Sequence, residues 1–337
     1  MTIKDLAAQT GYSVGTVSRV LNNQPHVSEL ARAVILRAAE ESGFQLNTNA
    51  KELKQQHSTS ILVVAKGRTN ELFSDLVEAI QSRISETDYP LILDYIDETE
   101  NEVLRTIQLC REKKPLGVLF LGGNRKHFLE NFYQISLPCV LITNDATDLP
   151  FPNLSSVSCD DALAARMAID HLISLGHKKV VVIGGPIQKS DTTRLRFEGC
   201  LEAFREHDIA FDPLMDYETA RFSYTDGYRA AQSLLARNGD FTALFAMSDV
   251  MAIGAIRGLK DAGKRVPEDV SVMGFDGLTI GQYTIPRLST IAQDVDALAE
   301  RSLELLRCSI EDNSTARYET VPVTRQCRES AAKLPYS

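Results

Sequence analysis

The chain of 337 residues has no long apolar segment, no paired-cysteine motif and no excess of positive charge. Because no run of 18 or more residues is apolar, we expect no transmembrane helix. The first residues lack the basic-then-apolar order of a signal peptide, so the sequence predicts a cytoplasmic protein without membrane partners. The net charge of −9 argues against a protein that coats nucleic acid over its whole surface.

Neither the spacing of the cysteines nor any catalytic motif indicates an enzyme. The six cysteines are scattered without C-x-x-C spacing, which predicts reduced side chains rather than a disulfide or zinc framework. We find no G-x-S-x-G, no H-E-x-x-H, no P-loop and no complete G-x-G-x-x-G after a strand. The sequence therefore predicts no enzyme, no cofactor and no metal site.

Residues 1–45 have the pattern of three short helices around one small core. Thr2 can cap a first helix, Ile3 to Thr10, and a turn that contains Gly11 follows it. A second helix begins at Ser13, and a third is expected from about Ser28 to Ser42, with Gly43 ending it. Helix, short glycine-containing turn and helix is the layout of a helix-turn-helix DNA-binding motif. The inward positions of the second and third helices are predicted to be Val17, Val20 and Leu21, and Leu30, Ala31, Val34, Ile35 and Ala38.

The outward face of the second helix is short and polar, with one long cation. Gly15, Ser18, Arg19 and Asn22 point away from the predicted core, which suits a helix that meets base edges and phosphates. An ordinary surface helix would show the same pattern. Charge adds a weak indication, because residues 1–56 carry six Lys/Arg and five Asp/Glu while the acidic excess lies in the rest of the chain.

From Ser60 onward, short apolar runs alternate with helical stretches. This alternation predicts βαβ units and doubly wound parallel sheets that are covered on both faces. More than 270 residues is long for one such sheet, so two lobes that divide near residue 160 are expected. The predicted strands are Ile61–Val64, Leu91–Tyr95, Gly117–Leu121, Val140–Ile142, Val180–Ile183, Ala243–Ala246 and Val270–Gly274. The predicted helices include Leu72–Thr87, Glu102–Lys113, Ala162–Leu175, Arg194–His207, Tyr224–Ala236 and Val250–Ala262.

Several motifs of the chain resemble the lactose/galactose repressor (LacI/GalR) family. They are T-I-K-D-L-A, G-Y-S-V-G-T-V-S-R-V-L-N, H-V-S and G-F-Q-L-N near the N-terminus, then S-L-G-H, R-L-R-F-E-G, S-D-V-M-A-I-G-A and V-P-E-D-V-S-V-M-G-F-D. The resemblance implies a helix-turn-helix domain (1–45), a hinge helix and linker (46–59), and a two-lobed effector domain (60–337) like periplasmic sugar-binding proteins. It implies three crossings between the lobes, near residues 160, 290 and 320. The first lobe would then hold about 60–160 and 290–320, and the second about 161–289 and 321–337.

The same resemblance assigns a set of DNA-contacting residues. Val14 and Gly15 match the pair that discriminates between operators, and Thr16, Ser18 and Arg19 match positions that contact bases or phosphates. Direct readout would then combine apolar contact with a thymine methyl and Arg19 on guanine. The alternatives are that Val14 is a core residue and Arg19 a solvated cation. The full predicted set is Thr2, Ser13, Val14, Gly15, Thr16, Ser18, Arg19, Asn22, His26, Ala50 and Leu53.

The predicted hinge is implied by resemblance alone. Leu53 matches a leucine wedged between base pairs in the minor groove, where such wedges kink the duplex, and Ala50 matches a groove-facing alanine. Leu46 stands where the family usually has proline, which leaves the start of the hinge less preset. The alternative is that Leu53 is an ordinary linker residue.

Six residues are predicted to bind an effector between the lobes. Asp276 follows an apolar run and should lie at the carboxyl end of a strand, where α/β sheets bind ligands. By resemblance, Arg196 and Asp276 would take effector hydroxyls or ring nitrogens, Phe73 and Phe222 would stack on a ring, and Ser248 and Gln293 would complete the cleft. The alternatives are a lobe-to-lobe ion pair between Arg196 and Asp276, and plain core positions for the two phenylalanines. A sugar is the first choice of effector, and a nucleobase or nucleoside the second.

These observations predict a ligand-responsive transcriptional regulator, most simply a repressor, associated with a bacterial nucleoid. It would bind a palindromic operator as a homodimer, because no leucine heptad for tetramerisation is found near the end of the sequence. The competing interpretation is a small-molecule receptor without a DNA role, which residues 1–54 disfavour.

Overall fold

The computed structural model describes residues 2–21, 27–42, 59–67, 70–85, 87, 89–312 and 314–334. The chain divides into two compact units, Met1–Ser58 and Thr59–Ser337. Gly43 and Leu46, which the sequence analysis singled out, lie outside the described residues.

The described part of the first unit consists of three short helices around one apolar core. They are α1 (Ile3–Thr10), α2 (Val14–Leu21) and α3 (Glu29–Glu41). The predicted caps are present, because the side chains of Thr2, Ser13 and Ser28 accept hydrogen bonds from first-turn backbone N–H groups. The core is formed by Leu6, Ala7, Val17, Val20, Ile35, Ala38 and Ala39.

The prediction that Leu30 and Val34 of α3 belong to the core is wrong. Leu30 and Val34 are 73% and 40% exposed, whereas Ala31 and Ile35 are buried. Their spacing is helical, but a core built from three short helices covers only one narrow stripe of α3. Leu30 and Val34 lie beside that stripe, and periodicity alone does not reveal how wide the covered stripe is.

The described residues of the second unit form two six-stranded sheets, one in each lobe. In the first lobe the strands are β1 (Ile61–Lys66), β2 (Leu91–Ile96), β3 (Gly117–Leu121), β4 (Cys139–Ile142), β5 (Leu154–Ser158) and β11 (Tyr318–Thr320). Their order is β11-β5-β4-β3-β1-β2, and all pairs are parallel. The helices of this lobe are α4 (Glu71–Ile84), α5 (Glu102–Lys113), α6 (Arg125–Asn131) and α12 (Val295–Glu311).

The second lobe repeats this arrangement. Its strands are β6 (Val180–Gly184), β7 (Tyr217–Thr219), β8 (Ala243–Ala246), β9 (Ser271–Asp276), β10 (Ser289–Ala292) and β12 (Thr324–Gln326), in the order β12-β10-β9-β8-β6-β7. Only the pairing of β12 with β10 is antiparallel among these strands. Its helices are α7 (Asp161–Ser174), α8 (Asp191–Glu206), α9 (Pro213–Asp216), α10 (Tyr224–Arg237) and α11 (Asp249–Asp261).

Both faces of the sheets are buried, as the apolar runs predicted. In β1, Ile61 and Val63 belong to one apolar core, while Leu62 and Val64 belong to the core on the opposite face. Successive side chains of a strand point to opposite faces, so burial on both sides accounts for the continuous apolar run of β1. Among the described helices, none is long and apolar enough to cross a membrane.

Three short segments carry the chain between the lobes. They follow β5, β10 and β11, so that β10 belongs to the second sheet and the next helix, α12, packs on the first. The second crossing lies just after residue 292, near the predicted position of about 290. Gln293 lies in this crossing, which places its side chain where the lobes face each other.

The close packing of α7 against α8 leads to a prediction about stability. A Cβ atom at Gly199 of α8 would lie 2.0 Å from the carbonyl oxygen of Ala162 on α7. We expect Gly199→Ala to lower the free energy of unfolding by about 1–3 kcal/mol through overpacking, as measured by urea unfolding. Gly239→Ala, at an exposed position outside the helices, is the control and should change stability much less. Equal effects of the two substitutions would contradict the close approach.

Candidate functional site

The first residues of α2 form an exposed, uncharged surface with one cation nearby. Val14 is 42% exposed and Gly15 is also exposed, whereas Val17 and Val20 are buried. A Cβ atom at Gly15 would meet only the Ser13 hydroxyl, at 3.8 Å, so the backbone here is open to close approach. The alternative of a core position for Val14 is therefore wrong.

The remaining predicted DNA contacts of this unit divide into exposed and half-buried residues. Arg19 is exposed on α2, while Thr16 and Ser18 are half-buried. The Ser13 and Thr16 hydroxyls lie 2.9 Å apart, and Ser13 also accepts from the Thr16 N–H, at 3.1 Å. Thr2 is exposed. Its hydroxyl accepts from the Asp5 N–H at 3.3 Å and donates to the Asp5 carboxylate at 2.8 Å, so its side chain caps α1. Four predicted contacts, Asn22, His26, Ala50 and Leu53, lie outside the described residues.

A cavity of about 490 Å³ lies between the lobes of the second unit, and residues from both lobes line it. This volume falls within the range of small-molecule sites. The lining residues cluster at the carboxyl ends of parallel strands, where open α/β sheets bind ligands. Five of the six residues predicted to bind an effector line it, namely Phe73, Arg196, Phe222, Asp276 and Gln293.

Phe73 and Phe222 line the cavity from opposite lobes, and each ring packs over a glycine. A Cβ atom at Gly122 would lie 2.9 Å from the Phe73 ring, and one at Gly185 would lie 2.9 Å from the Phe222 ring. Both rings also contact the apolar core of their own lobe. Each phenylalanine therefore has a core side and a cavity side, so the two interpretations made from the sequence are not exclusive.

Arg196 is a buried cation whose position is fixed on three sides. Its Nε donates to Asp161 Oδ1 at 2.8 Å and its Nη1 donates to the Met247 carbonyl at 2.5 Å. Its guanidinium carbon lies 3.6 Å from the centroid of the Phe275 ring. Arg196 and Asp276 belong to the same lobe, and the ion pair of Arg196 is with Asp161. The alternative of a lobe-to-lobe ion pair between Arg196 and Asp276 is therefore wrong.

Asp276 is the last residue of β9 and has an unusual environment. Its φ of 117° is rare for a residue with a side chain, and its carboxylate accepts from Gln293 Nε2 at 3.0 Å. Burial raises the pKa of Asp276 to about 7, although Arg196 and the Gln293 amide act to lower it. An acid with this pKa donates or accepts hydrogen bonds near neutral pH, which suits recognition of hydroxyl groups.

Asp249, which the sequence analysis missed, holds the loop that follows Asp276. Its carboxylate accepts from the N–H groups of Gly277 and Leu278, at 2.9 and 2.7 Å, and from the Thr290 hydroxyl at 2.6 Å. These bonds tie the start of α11 to both β9 and β10. Asp249 belongs to the S-D-V-M-A-I-G-A motif, of which only Ser248 was predicted to bind an effector.

Ser248 itself does not line the cavity. It is 1% exposed and caps α11, since its hydroxyl accepts from the Met251 N–H at 3.3 Å. Other lining residues were not predicted, although several follow strand ends and the strand-end rule would have found them. They include Lys66, Asn70, His127, Thr143, Asn144 and Thr192. Within the described ranges, no group of three or more His, Cys, Asp or Glu side chains is placed to hold a metal ion.

Polar contacts connect the lobes around the cavity. Asn144 donates to the Thr192 hydroxyl at 3.0 Å, and both residues line the cavity. Arg221 of the second lobe forms an ion pair with Glu98 of the first. These contacts cross the cleft, so a ligand that moves the lobes apart would have to break them.

Comparisons with known proteins match both units. Residues 2–47 match the family described as bacterial regulatory proteins, lacI family, and residues 169–331 match a periplasmic binding protein-like domain. The HTH-type transcriptional regulator MalR of Clostridium butyricum is 34% identical over 91% of this chain and 92% of its own length.

Solved structures show the same likeness. The lac repressor dimer bound to operator and the anti-inducer ONPF has a TM-score of 0.81 and 25% identity, covering 98% of this chain and 99% of its own. A LacI family transcriptional regulator from Enterococcus faecium with bound ribose has a TM-score of 0.71 and 26% identity, covering 82% of this chain and 100% of its own.

The exposed start of α2 leads to a prediction about sequence preference. Replacing Val14 and Gly15 together should change the preferred duplex without unfolding the domain, because both side-chain positions face outward. Selection of bound duplexes from a random pool measures the preference, and circular dichroism checks the fold. The paired control is replacement of the exposed Leu30, on α3, by alanine. An unchanged preferred sequence in the Val14/Gly15 variant would show that these positions do not discriminate.

Proposed function

The chain belongs to the LacI family of bacterial regulatory proteins and is a transcriptional repressor of that family, and on this premise we propose that it binds a palindromic operator as a homodimer whose DNA affinity is controlled by a sugar in the inter-lobe cavity. One observation carries the proposal. Five side chains that the sequence assigned to an effector, contributed by both lobes, line one cavity in a chain that also has a capped helix-turn-helix.

The proposed operator and its symmetry follow from the exposed face of α2. Val14, Gly15 and Arg19 would read base edges in the major groove, while the capped helix ends contact phosphates. A homodimer with twofold symmetry presents two such helices and so favours a palindromic site. The similar lac repressor structure is a dimer bound to operator, which supports this arrangement for the present chain. The proposed setting is the cytoplasm, in contact with the nucleoid.

A sugar suits the chemistry of the cavity. Arg196 supplies donors, Asp276 and Gln293 supply acceptors and a donor, and the rings of Phe73 and Phe222 offer apolar faces on opposite sides. Such a set matches a polyol with an apolar ring face. The similar Enterococcus faecium regulator contains ribose, which supports this class of ligand. The function is binding rather than catalysis, and the regulatory relatives support that conclusion.

Control of DNA binding would act through the relative position of the lobes. A ligand that contacts both lobes stabilises one lobe arrangement over another, and it shifts DNA affinity only by the difference in its affinity for the two arrangements. The three crossing segments are the connections through which such a shift occurs. Gln293, in the crossing after β10, contacts Asp276 and thus joins the cavity to a crossing.

Selection of genomic fragments tests the proposal directly. The purified protein should enrich one short palindrome, and a sugar that raises the melting temperature should change the amount of duplex retained. Arg19→Ala should lower the enrichment, because a phosphate or guanine contact is lost. Arg265→Ala, an exposed arginine of the second unit, is the matched control and should leave it unchanged. Enrichment of no sequence over random competitor would refute the proposal.

The raised pKa of Asp276 leads to a prediction about pH. Sugar hydroxyls that donate to the carboxylate favour its ionised form, so binding should release a proton. It should tighten by up to about tenfold per pH unit as the pH rises toward about 7, and level off above that pH. The pKa of this carboxyl in the unfolded chain is near 3.8, so between pH ~4 and ~7 the folded, ligand-free protein binds more protons than the unfolded chain. Its free energy of unfolding should therefore fall as the pH rises from ~4 to ~7. The charged groups that face Asp276 are Arg196, Asp161 and Asp249.

Calorimetric titration across this pH range measures the effect. Asp276→Asn should weaken sugar binding and remove its pH dependence, while basal operator binding is retained. Asp240→Asn, at a surface ion pair with Lys179, is the control and should keep the pH dependence of the unmodified protein. A pH dependence that survives in Asp276→Asn would exclude this carboxyl as the titrating group.

A further inference from the structure

A buried carboxylate in the first lobe holds two basic side chains at the wall of the cavity. Glu102 is fully buried and does not line the cavity, whereas Lys66 and His127 do. Lys66 Nζ donates to Glu102 Oε2 at 2.5 Å, His127 Nδ1 lies 2.8 Å from the same oxygen, and the Asn124 N–H donates to Oε1 at 2.6 Å. Both carboxylate oxygens are therefore occupied, and the carboxylate fixes the position of both basic groups.

The remaining hydrogen-bonding capacity of these two side chains is available to a ligand. A lysine ammonium has three N–H donors, and Glu102 takes one of them from Lys66. Since Glu102 engages Nδ1 of His127, Nε2 is the ring nitrogen left for a ligand. In the part of the chain that the structure describes, neither group has another hydrogen-bond partner.

A second feature at the same wall also favours negative charge. The helix α4, of 14 residues, begins at the cavity. Its N-cap residue Asn70 and the first-turn residues Leu72 and Phe73 line the cavity. The side chain of Asn70, the N-cap residue, makes no capping hydrogen bond to the helix. The N-terminal end of a helix carries partial positive charge, because its first N–H groups lack partners four residues earlier. Of these groups in α4, the Phe73 N–H donates to the Asn70 carbonyl at 3.1 Å.

The acidic residues that line the cavity do not oppose an anion at this wall. Glu98 is engaged by Arg221 in an ion pair. Asp276 lies on the second lobe, among Arg196 and Gln293. Lys189, on the second lobe, adds a further exposed cation to the lining. The first-lobe wall therefore offers N–H donors and the positive end of α4, while the second-lobe wall offers the mixed donors and acceptors that hydroxyl groups need.

We propose that the effector is an anionic sugar, whose carboxylate or phosphoryl group binds Lys66 and His127 on the first lobe while its hydroxyl groups bind the second lobe. The inference rests on the proposed function, because it names the class of ligand for the same cavity. An ammonium held beside a carboxylate group of the ligand forms a charge-assisted hydrogen bond, about twice as strong as a neutral one. Glu102 is then a positioning residue, since it contacts the two basic groups and is shielded from the cavity.

Calorimetric titration of the full-length protein with matched probes tests this proposal. The probes are glucose, glucuronate and glucose 6-phosphate, galactose and galacturonate, and ribose and ribose 5-phosphate. At least one acid or phosphate should bind about tenfold or more tightly than its neutral parent. Preference for the uronates identifies a carboxylate as the ligand group, and preference for the phosphates identifies a phosphoryl group.

Two variants separate recognition from folding. Lys66→Met alone would leave Glu102 buried without its ammonium partner, so the test uses the double variant Lys66→Met/Glu102→Gln, which removes both charges. In this variant the acid and its neutral parent should bind within about twofold of each other. Lys126→Met is the control, because Lys126 is exposed on α6 beside His127 and does not line the cavity. It should keep the full preference for the acid.

Three results would overturn the proposal, and the first two do so without affecting the proposed sugar response. The first is binding of neutral sugars as tightly as their acids. The second is an acid preference that survives in the double variant. The third is failure of every probe, neutral and anionic alike, which would overturn both this inference and the assignment of a sugar effector.

Discussion

The burial of both faces of the two sheets is the constraint on which the rest of the second unit depends. In strands that are covered on both sides, such as β1 and β8, the positions within the sheet are apolar. The charged side chain of β1, Lys66, lies at the strand end, and the buried Ser155 and Ser156 within β5 accept hydrogen bonds from backbone N–H groups. Since the parallel strands of each sheet end at the same edge, the two lobes bring two sets of polar ends together, and the cavity lies between them.

Charges near this cavity follow one rule, which is that each buried charge has a fixed partner. Arg196 is held by Asp161, and Lys66 by Glu102. Isolated buried charges are costly, so partners that stay out of the cavity keep the ligand-facing groups both charged and oriented. Asp276 differs, because the one side chain that donates directly to its carboxylate among the described residues is the uncharged Gln293 amide, and burial raises its pKa to about 7. The two lobes thus present different chemistry, with N–H donors and the positive end of α4 on the first and a titratable acceptor on the second.

The same residues connect ligand recognition to the framework. Asp249 binds the loop after β9 and the Thr290 hydroxyl of β10, and the crossing that contains Gln293 follows β10 directly. A ligand that contacts Asp276 and Gln293 therefore contacts a segment that joins the lobes. This arrangement gives a physical route from an occupied cavity to a change in lobe position, which is the requirement for regulating a separate DNA-binding unit.

Much of this architecture was determined by sequence. The strand Gly117–Leu121 and the helix Glu102–Lys113 have the predicted bounds, because a continuous apolar run and a capped amphipathic pattern are strong local signals. The short strands β5, β7, β10, β11 and β12 were missed. Sequences such as Y-E-T and T-R-Q have no apolar run, and these segments pair at the edge of a sheet that is already present. Motif resemblance likewise placed Arg196, Asp276 and Gln293 at the cavity.

What only the tertiary structure decided is how side chains far apart in sequence combine. The exposure of Leu30 depends on how much of α3 is covered by α1 and α2. The capping role of Ser248 depends on the direction in which α11 begins. The grouping of Lys66, Glu102 and His127 requires that the end of β1 and the starts of α5 and α6 meet at one place. Local sequence sets which residues form a helix or a strand, because those signals act over a few neighbours. Pairing of buried charges is set by distances in space, which sequence order does not contain.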